Sequence, residues 1–281
     1  VNEQVLFFGH ERNLIGVLTA PRATGAGAPA VILLNAGLLH RVGPNRLSVE
    51  IARRLAGRGF PGFRFDMSGI GDSRLVGEGL LDIERSRNDV VAAMDAVAAA
   101  TGAERFVLIG LCTGAYNAFR AALVDQRVAG GVLMDGYAYP TMRSQFEHYR
   151  GRLLDVDRWK RYIGRRLGRG QHVESAVGGE LVVFENEVVP KKRFAAELAT
   201  LVRRRTELLM IYTGLGPLRF TYPHQLHDAF PEIDLDRSVV VRFYPEADHT
   251  FTLPGHRERL LDDIETWMAS RFAVTVESGR P

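Results

Sequence analysis

Short apolar runs recur along the chain, each followed by a stretch with helical spacing. Val31-Ile-Leu-Leu-Asn35, Phe60 to Phe65, Arg105-Phe-Val-Leu-Ile109, Gly131-Val-Leu-Met-Asp135, Glu207 to Tyr212 and Ser238 to Phe243 read as strands. Their apolar positions are continuous rather than alternating, the pattern of strands buried on both faces. Between them, Leu47, Ile51 and Leu55 lie on one helical face, and Gly57 and Gly59 stop that helix. Ile83, Val90, Val91, Met94 and Val97 line a second helix that ends near Gly102, and a third follows Ala115. Leu260, Leu261, Ile264, Trp267 and Met268 form an amphipathic helix near the C-terminal end. Val5–Phe8 and Leu14–Leu18 read as a hairpin around Gly9 to Asn13. Strands alternating with helices predict an α/β fold, with a mostly parallel central sheet flanked by helices.

The alternation breaks between about Tyr137 and Arg205. That segment contains Trp159-Lys-Arg-Tyr-Ile163, many arginines and a Gly178-Gly179 break. It reads as a largely helical insertion over the carboxyl ends of the strands. The expected organisation is therefore a core from residues 1–136, a basic helical cap over 137–205, and a second part of the core over 206–281. No internal repeat is present.

Charge sharpens that division. The net charge is +3, but Arg143 to Arg205 carries 15 Lys or Arg against 8 Asp or Glu. Such an excess is either a solvated helical surface or a dock for an anionic partner. Aromatic residues do not interleave with these charges, which argues against a nucleic-acid surface. With 281 residues, 46% of them apolar, the chain can bury one large core. No run approaches the roughly 18 apolar residues of a membrane span. Val1-Asn-Glu-Gln lacks the layout of a signal peptide, and the expectation is a cytoplasmic protein. The single cysteine, Cys112, excludes an internal disulfide and a cysteine-built zinc site.

That cysteine sits in Gly110-Leu-Cys-Thr-Gly114, between a buried-type strand and a helix. A nucleotide-binding fold would require Gly-x-Gly-x-x-Gly after an early strand, or a phosphate loop ending in Gly-Lys-Ser/Thr. The turn after Val31–Asn35 reads Asn35-Ala-Gly-Leu-Leu-His40 and matches neither. A Gly-x-x-x-Gly turn between strand and helix presents its middle residue as a nucleophile, with the positive end of the helix beside it. A thiol held there is favoured as thiolate. The other reading is a buried inert cysteine, which would not need two flanking glycines.

Three segments together resemble the α/β-hydrolase family: Gly110-Leu-Cys-Thr-Gly114 as nucleophile elbow, Arg64-Phe-Asp-Met-Ser-Gly-Ile-Gly-Asp-Ser73 as a shared loop, and Ala247-Asp-His-Thr-Phe251 as histidine loop. The resemblance covers nearly the whole chain outside the cap. It implies Cys112 as nucleophile and His249 as base. His224 and His227 lack this context, and without a clear carboxylate partner they do not make a metal site. The family's acid commonly follows the strand that is here Glu207–Tyr212, but Thr213-Gly-Leu-Gly-Pro-Leu-Arg-Phe220 offers no carboxylate. Thioesterase members that release polyketides and peptides carry the acid one strand earlier, where this chain has Asp135. Asp135 is therefore the expected acid and Asp228 the alternative. Asp234 and Asp236 come later still, Asp248 adjoins His249 at a poor angle, and Asp66 and Asp72 suit bracing of their loop.

The resemblance places the oxyanion hole at the backbone N–H of Thr113 and that of Ala36 or Gly37. His40, Arg41 and Arg46 stand close by in sequence, meeting either an anionic substrate group or solvent. A thiolate suits exchange between thioesters, where attacking and leaving sulfurs are matched. The expectation is a hydrolase or acyltransferase that forms an acyl-cysteine from a thioester carried on an acyl carrier protein or coenzyme A. It needs no cofactor, metal, nucleic acid or membrane, and its oligomeric state is open. Two alternatives stand: an ester or lactone hydrolase of the dienelactone-hydrolase type, whose members share a Gly-x-Cys-x-Gly elbow, and a non-catalytic scaffold that binds a ligand or partner.

Overall fold

A computed structural model describes residues 2–23, 27–76, 82–146, 189–218 and 220–272. Eight strands form one sheet: β1 (Asn2–Phe8), β2 (Leu14–Ala20), β3 (Ala30–Leu33), β4 (Gly62–Asp66), β5 (Phe106–Leu111), β6 (Val128–Met134), β7 (Glu207–Thr213) and β8 (Val239–Tyr244). Their order is β1-β2-β4-β3-β5-β6-β7-β8. The hairpin β1–β2 is antiparallel, and β2 also pairs antiparallel with β4. From β4 onward every pairing is parallel. Each predicted strand is present, displaced by no more than a few residues at its ends.

The continuous apolar runs split by parity between two faces, as a doubly covered sheet requires. Ile32, Phe106, Leu108, Leu208, Met210 and Tyr212 face one layer. Val31, Leu33, Val107, Ile109, Leu209 and Ile211 face the other. The first layer holds α2 (Asp82–Thr101), α3 (Thr113–Val124) and α4 (Lys191–Arg203). The second holds α1 (Leu47–Gly57) and α6 (Pro254–Arg271), with the short α5 (Gln225–Ala229) contributing Leu226 and Ala229 to the first. Each fully buried Leu, Ile or Phe side chain contributes about 1.5–3 kcal/mol. The two layers clamp the parallel strands, so that their carboxyl ends form a rigid edge on which loops can present side chains.

Of the segment expected as a cap, residues 147–188 lie outside the described residues. Its two ends are held together: the Tyr139 hydroxyl donates to the Val189 carbonyl oxygen at 2.8 Å. At the C-terminal side of the segment, α4 buries Phe194, Leu198 and Leu201 completely within the first layer. Phe194 stacks on Phe119 of α3 at 5.1 Å between ring centroids. No helix among the described residues is long and apolar enough to cross a membrane.

Candidate active site

Three carboxyl-end loops build the site. Cys112 follows β5 directly and is the N-cap of α3, with φ 57° and ψ −117°. A side chain there occupies a conformation that costs about 1–3 kcal/mol and persists only where its surroundings enforce it. The enforcement is visible. Cys112 N–H donates to the Met134 carbonyl oxygen at 2.9 Å, and Ala115 N–H and Tyr116 N–H return to the Cys112 carbonyl oxygen. The flanking glycines let the turn close. A Cβ on Gly110 would strike the Gly114 carbonyl and Ala115 nitrogen, and one on Gly114 would come within 2.6 Å of the Asn35 carbonyl oxygen. Gly110→Ala is therefore expected to destabilise the protein by about 1–3 kcal/mol or more, a loss measurable by urea unfolding. An unchanged midpoint would mean that the elbow tolerates a methyl group.

Asp135 occupies the same place on the next strand. It follows β6 with φ 46°, and its N–H donates to the Ile211 carbonyl oxygen of β7 at 2.8 Å. Only 2% of the residue is exposed. Three donors converge on its carboxylate. Thr213 N–H donates to Oδ1 at 2.9 Å, Thr213 Oγ1 donates to Oδ2 at 2.5 Å, and His249 Nδ1 lies 2.7 Å from Oδ2. An ionised carboxylate only accepts, so Nδ1 carries the proton. The other ring nitrogen, Nε2, is left free of Asp135, and Cys112 is close enough to the ring to support its charge. Asp135 is the larger support of the imidazolium and Cys112 the next. Together they outweigh burial and push the His249 pKa up to about 9. Cys112 is half-buried and the only free thiol. Its neighbour Tyr116 has its pKa raised by burial and then by the negative charge available at Cys112.

The structure thus joins His249 to Asp135, with Cys112 near enough to raise the pKa of the ring, and it engages Asp228, Asp236 and Asp248 elsewhere. Asp228 accepts from the Tyr222 hydroxyl at 2.8 Å. Asp236 meets His227 at 3.1 Å, on the exposed side of α5. Asp248 accepts from the backbone and hydroxyls of Thr250 and Thr252, closing its own turn. Burial opposes its charge, but those donors prevail and hold its pKa down to about 2.

The turn between β3 and α1, where an oxyanion donor is expected, is braced from below. Asn35 Oδ1 accepts from Met67 N–H at 2.9 Å, while Asn35 Nδ2 donates to the Leu39 carbonyl oxygen at 2.8 Å and to Asp66 Oδ1 at 3.3 Å. Asp66 is fully buried. It also accepts from the Arg41 N–H, the Arg41 guanidinium and Asp72 N–H. Arg41 is thereby committed to Asp66 and Asp72, the latter at 2.7 Å, because a buried carboxylate requires a paired cation. His40 Nε2 lies 3.4 Å from Asp72, and Arg46 is exposed on the turn that enters α1. His40, Asp66 and Asp72 bring ligand-type atoms within 4.8 Å of one another. The Arg41 guanidinium already donates to both carboxylates there, filling the place of a cation. Ala36 and Gly37 are half-buried at the head of the turn, near Thr113.

Two contributors were not legible in the sequence. Thr213 ends β7 where the commoner layout carries its acid, and here it supplies two of the three bonds to Asp135. Asn35 carries the turn; its one signal is an amide side chain closing an apolar run.

Sheet order, the strained residue after β5 and the histidine loop after β8 together decide the architecture. The chain has the α/β-hydrolase fold. Residues 29–165 match the family model described as alpha/beta hydrolase fold. Solved structures with this fold overlay on nearly the whole chain. DcsB, solved with its substrate analogue, has a TM-score of 0.60 at 16% identity, covering 97% of this chain and 100% of its own. The Pyrococcus furiosus esterase Pf2001 has a TM-score of 0.60 at 14% identity, covering 97% and 92%. The alpha/beta hydrolase GrgF of Penicillium sp. sh18 has a TM-score of 0.59 at 15% identity, covering 97% and 100%. No curated protein matches the chain by sequence. Within this hydrolase fold, the elbow of Cys112 and the loop of His249 occupy the carboxyl edge of the sheet, the edge where ligands of open α/β sheets bind.

Proposed function

We propose that the protein is a hydrolase or acyltransferase that forms an acyl-cysteine at Cys112, with a thioester as the first substrate class. One observation carries this reading: His249 Nδ1 is held 2.7 Å from buried Asp135, and Cys112, which also supports the charge of that ring, is held in a strained elbow. In this mechanism the Cys112 thiolate attacks the acyl carbon, and its electron pair forms the new carbon–sulfur bond. The carbonyl π pair moves onto oxygen, facing the backbone N–H groups of Thr113 and Ala36. Collapse expels the leaving group as a thiolate, which takes the proton of the His249 imidazolium and departs as the thiol. Neutral His249 then takes a proton from water or another acceptor, which attacks the acyl-cysteine and releases Cys112. Asp135 holds the ring's tautomer and balances its charge.

The thioester assignment rests on the chemistry of sulfur, since matched attacking and leaving thiols make exchange facile. The basic segment Arg143 to Arg205 suits an acyl group on an anionic carrier such as coenzyme A or an acyl carrier protein. Ester hydrolysis is the second reading, favoured by the esterase among the structures that share the fold. The deciding experiment is intact-protein mass spectrometry after exposure to a panel of acyl thioesters, esters and lactones. The reading expects an acyl mass on Cys112, formed faster from thioesters. Faster labelling by lactones or esters would move the substrate class, and no label from any of them would favour a binding scaffold.

A further inference from the structure

The Gly37 amide does not face an open space. It donates to the Thr113 side-chain oxygen at 2.6 Å. Thr113 is the residue after Cys112 and the first of α3. A hydroxyl offers one proton and two lone pairs. Gly37 uses one lone pair, and no described residue accepts the proton. Threonine inside a helix commonly spends that proton on the carbonyl one turn back, but Thr113 has no helical turn behind it. Thr113 is half-buried, in the first turn of α3 directly after Cys112, so its hydroxyl and its backbone N–H belong to one residue of the elbow.

We infer that the Thr113 hydroxyl is itself an oxyanion donor, and that the Gly37 amide acts through it. The inference rests on the acyl-cysteine reading above. As Cys112 Sγ bonds to the acyl carbon, the carbonyl π pair moves onto oxygen. That oxygen receives two donors from one residue, the N–H and the O–H of Thr113. Gly37 N–H, bonded to the hydroxyl oxygen from behind, polarises the O–H and strengthens it as a donor. On collapse the electron pair re-forms the carbonyl and the carbon–sulfur bond to the leaving group breaks. The hydroxyl proton stays on Thr113 throughout. The hydroxyl adds a side-chain donor to the backbone ones, and it is oriented before substrate arrives because Gly37 already holds it.

The test compares Thr113→Val, which keeps the shape and removes the hydroxyl, with Thr113→Ala and Thr113→Ser. S-phenyl thioacetate and p-nitrophenyl acetate serve as probes, with the rate of Cys112 acylation followed by quenched-flow mass spectrometry. Thr113→Val is expected to lower kcat about 10²-fold, the scale of one lost oxyanion donor, with KM nearly unchanged. Thr113→Ala should show a similar loss, and Thr113→Ser should recover most of the rate. Thermal unfolding identifies a variant that has lost its fold, and the alanine variant decides if valine does not fit. A valine variant as fast as the wild type, or faster, overturns the inference, since the hydroxyl would then only occupy the Gly37 amide. Equal losses in the serine and valine variants overturn it too, because packing would explain both. If the wild type itself is not acylated at Cys112, the acyl-cysteine reading fails and takes this inference with it. Acylated wild type with an undiminished valine variant removes the inference alone.

Discussion

Replacing Cys112 by alanine is expected to lower turnover by roughly 10⁴-fold or more, the scale seen when a catalytic nucleophile is deleted, with the fold retained. The fold should survive because the strained φ of 57° belongs to the turn, and alanine bears it as cysteine does. The hydrogen bonds that enforce the elbow are all made by backbone atoms of residue 112. The side chain is small and only half-buried, so removing sulfur opens little internal space. Activity should fall while the unfolding midpoint hardly moves. Cys112→Ser separates nucleophile from shape. A serine hydroxyl is a far weaker acid than a thiol and depends more on its base. That variant is expected to retain weak ester turnover. Steady-state assays with an activated ester and an activated thioester, run beside circular dichroism, check both variants. Near-normal turnover by the alanine variant would remove Cys112 from the mechanism.

The second large effect is expected from Asp135→Asn. Asparagine matches aspartate in size, so the cavity at the end of β6 stays filled and Thr213 keeps a partner for its N–H. What disappears is the carboxylate beside His249 Nδ1, whose hydrogen bond is the largest cause of that ring's raised pKa and whose charge adds to it. The variant ring should titrate back toward the ordinary value of 6.5. Its Nδ1 proton is no longer enforced by an acceptor-only partner, and turnover should fall by about 10⁴-fold, the loss known for this change in serine proteases. Stability carries the same signature. A histidine whose folded pKa is raised stabilises the fold fully below its unfolded value of about 6.5, and that contribution fades as pH climbs through about 9. Urea unfolding of the wild type should therefore weaken between those pH values more than that of Asp135→Asn. NMR titration of the His249 ring reads the shift directly, as a property of the Cys112–His249 pair. Full activity with an unmoved ring titration would assign the acid elsewhere, although the bond from Tyr222 to Asp228 shows that the alternative already has a partner.

These expectations draw unequally on sequence and structure. The strands were legible because parallel strands covered on both faces must be apolar at both parities, and Val31–Asn35 or Glu207–Tyr212 carry that mark without any context. The elbow was legible because backbone crowding is a local matter: Gly110 and Gly114 meet each other across four residues. Asp135 and His249 could be proposed from the strands they follow, since the carboxyl end of a strand is a position that a linear pattern locates. Helix α4 was less transparent. Lys191 to Arg203 reads as part of a basic insertion, yet Phe194, Leu198 and Leu201 are its buried stripe, and only the neighbouring α3 and the rings of Tyr137, Tyr139 and Phe230 reveal what that stripe covers.

The sequence by itself determined the kind of elements, the strained cysteine turn and a short set of candidate acids, because each depends on residues near one another along the chain. The tertiary structure decided the rest. It interchanged β3 and β4 in the sheet order, an arrangement that hydrophobic period does not encode. It set Asp135, and not Asp228, against His249, because the parallel register of β6 with β7 places Thr213 beside the carboxylate and gives it two donors. It turned Arg41 from a candidate substrate contact into the partner of buried Asp66, whose charge has to be met wherever the fold excludes water. And it joined Gly37 to Thr113 across 76 residues, a contact made only when the turn after β3 and the start of α3 are carried to the same edge of one sheet.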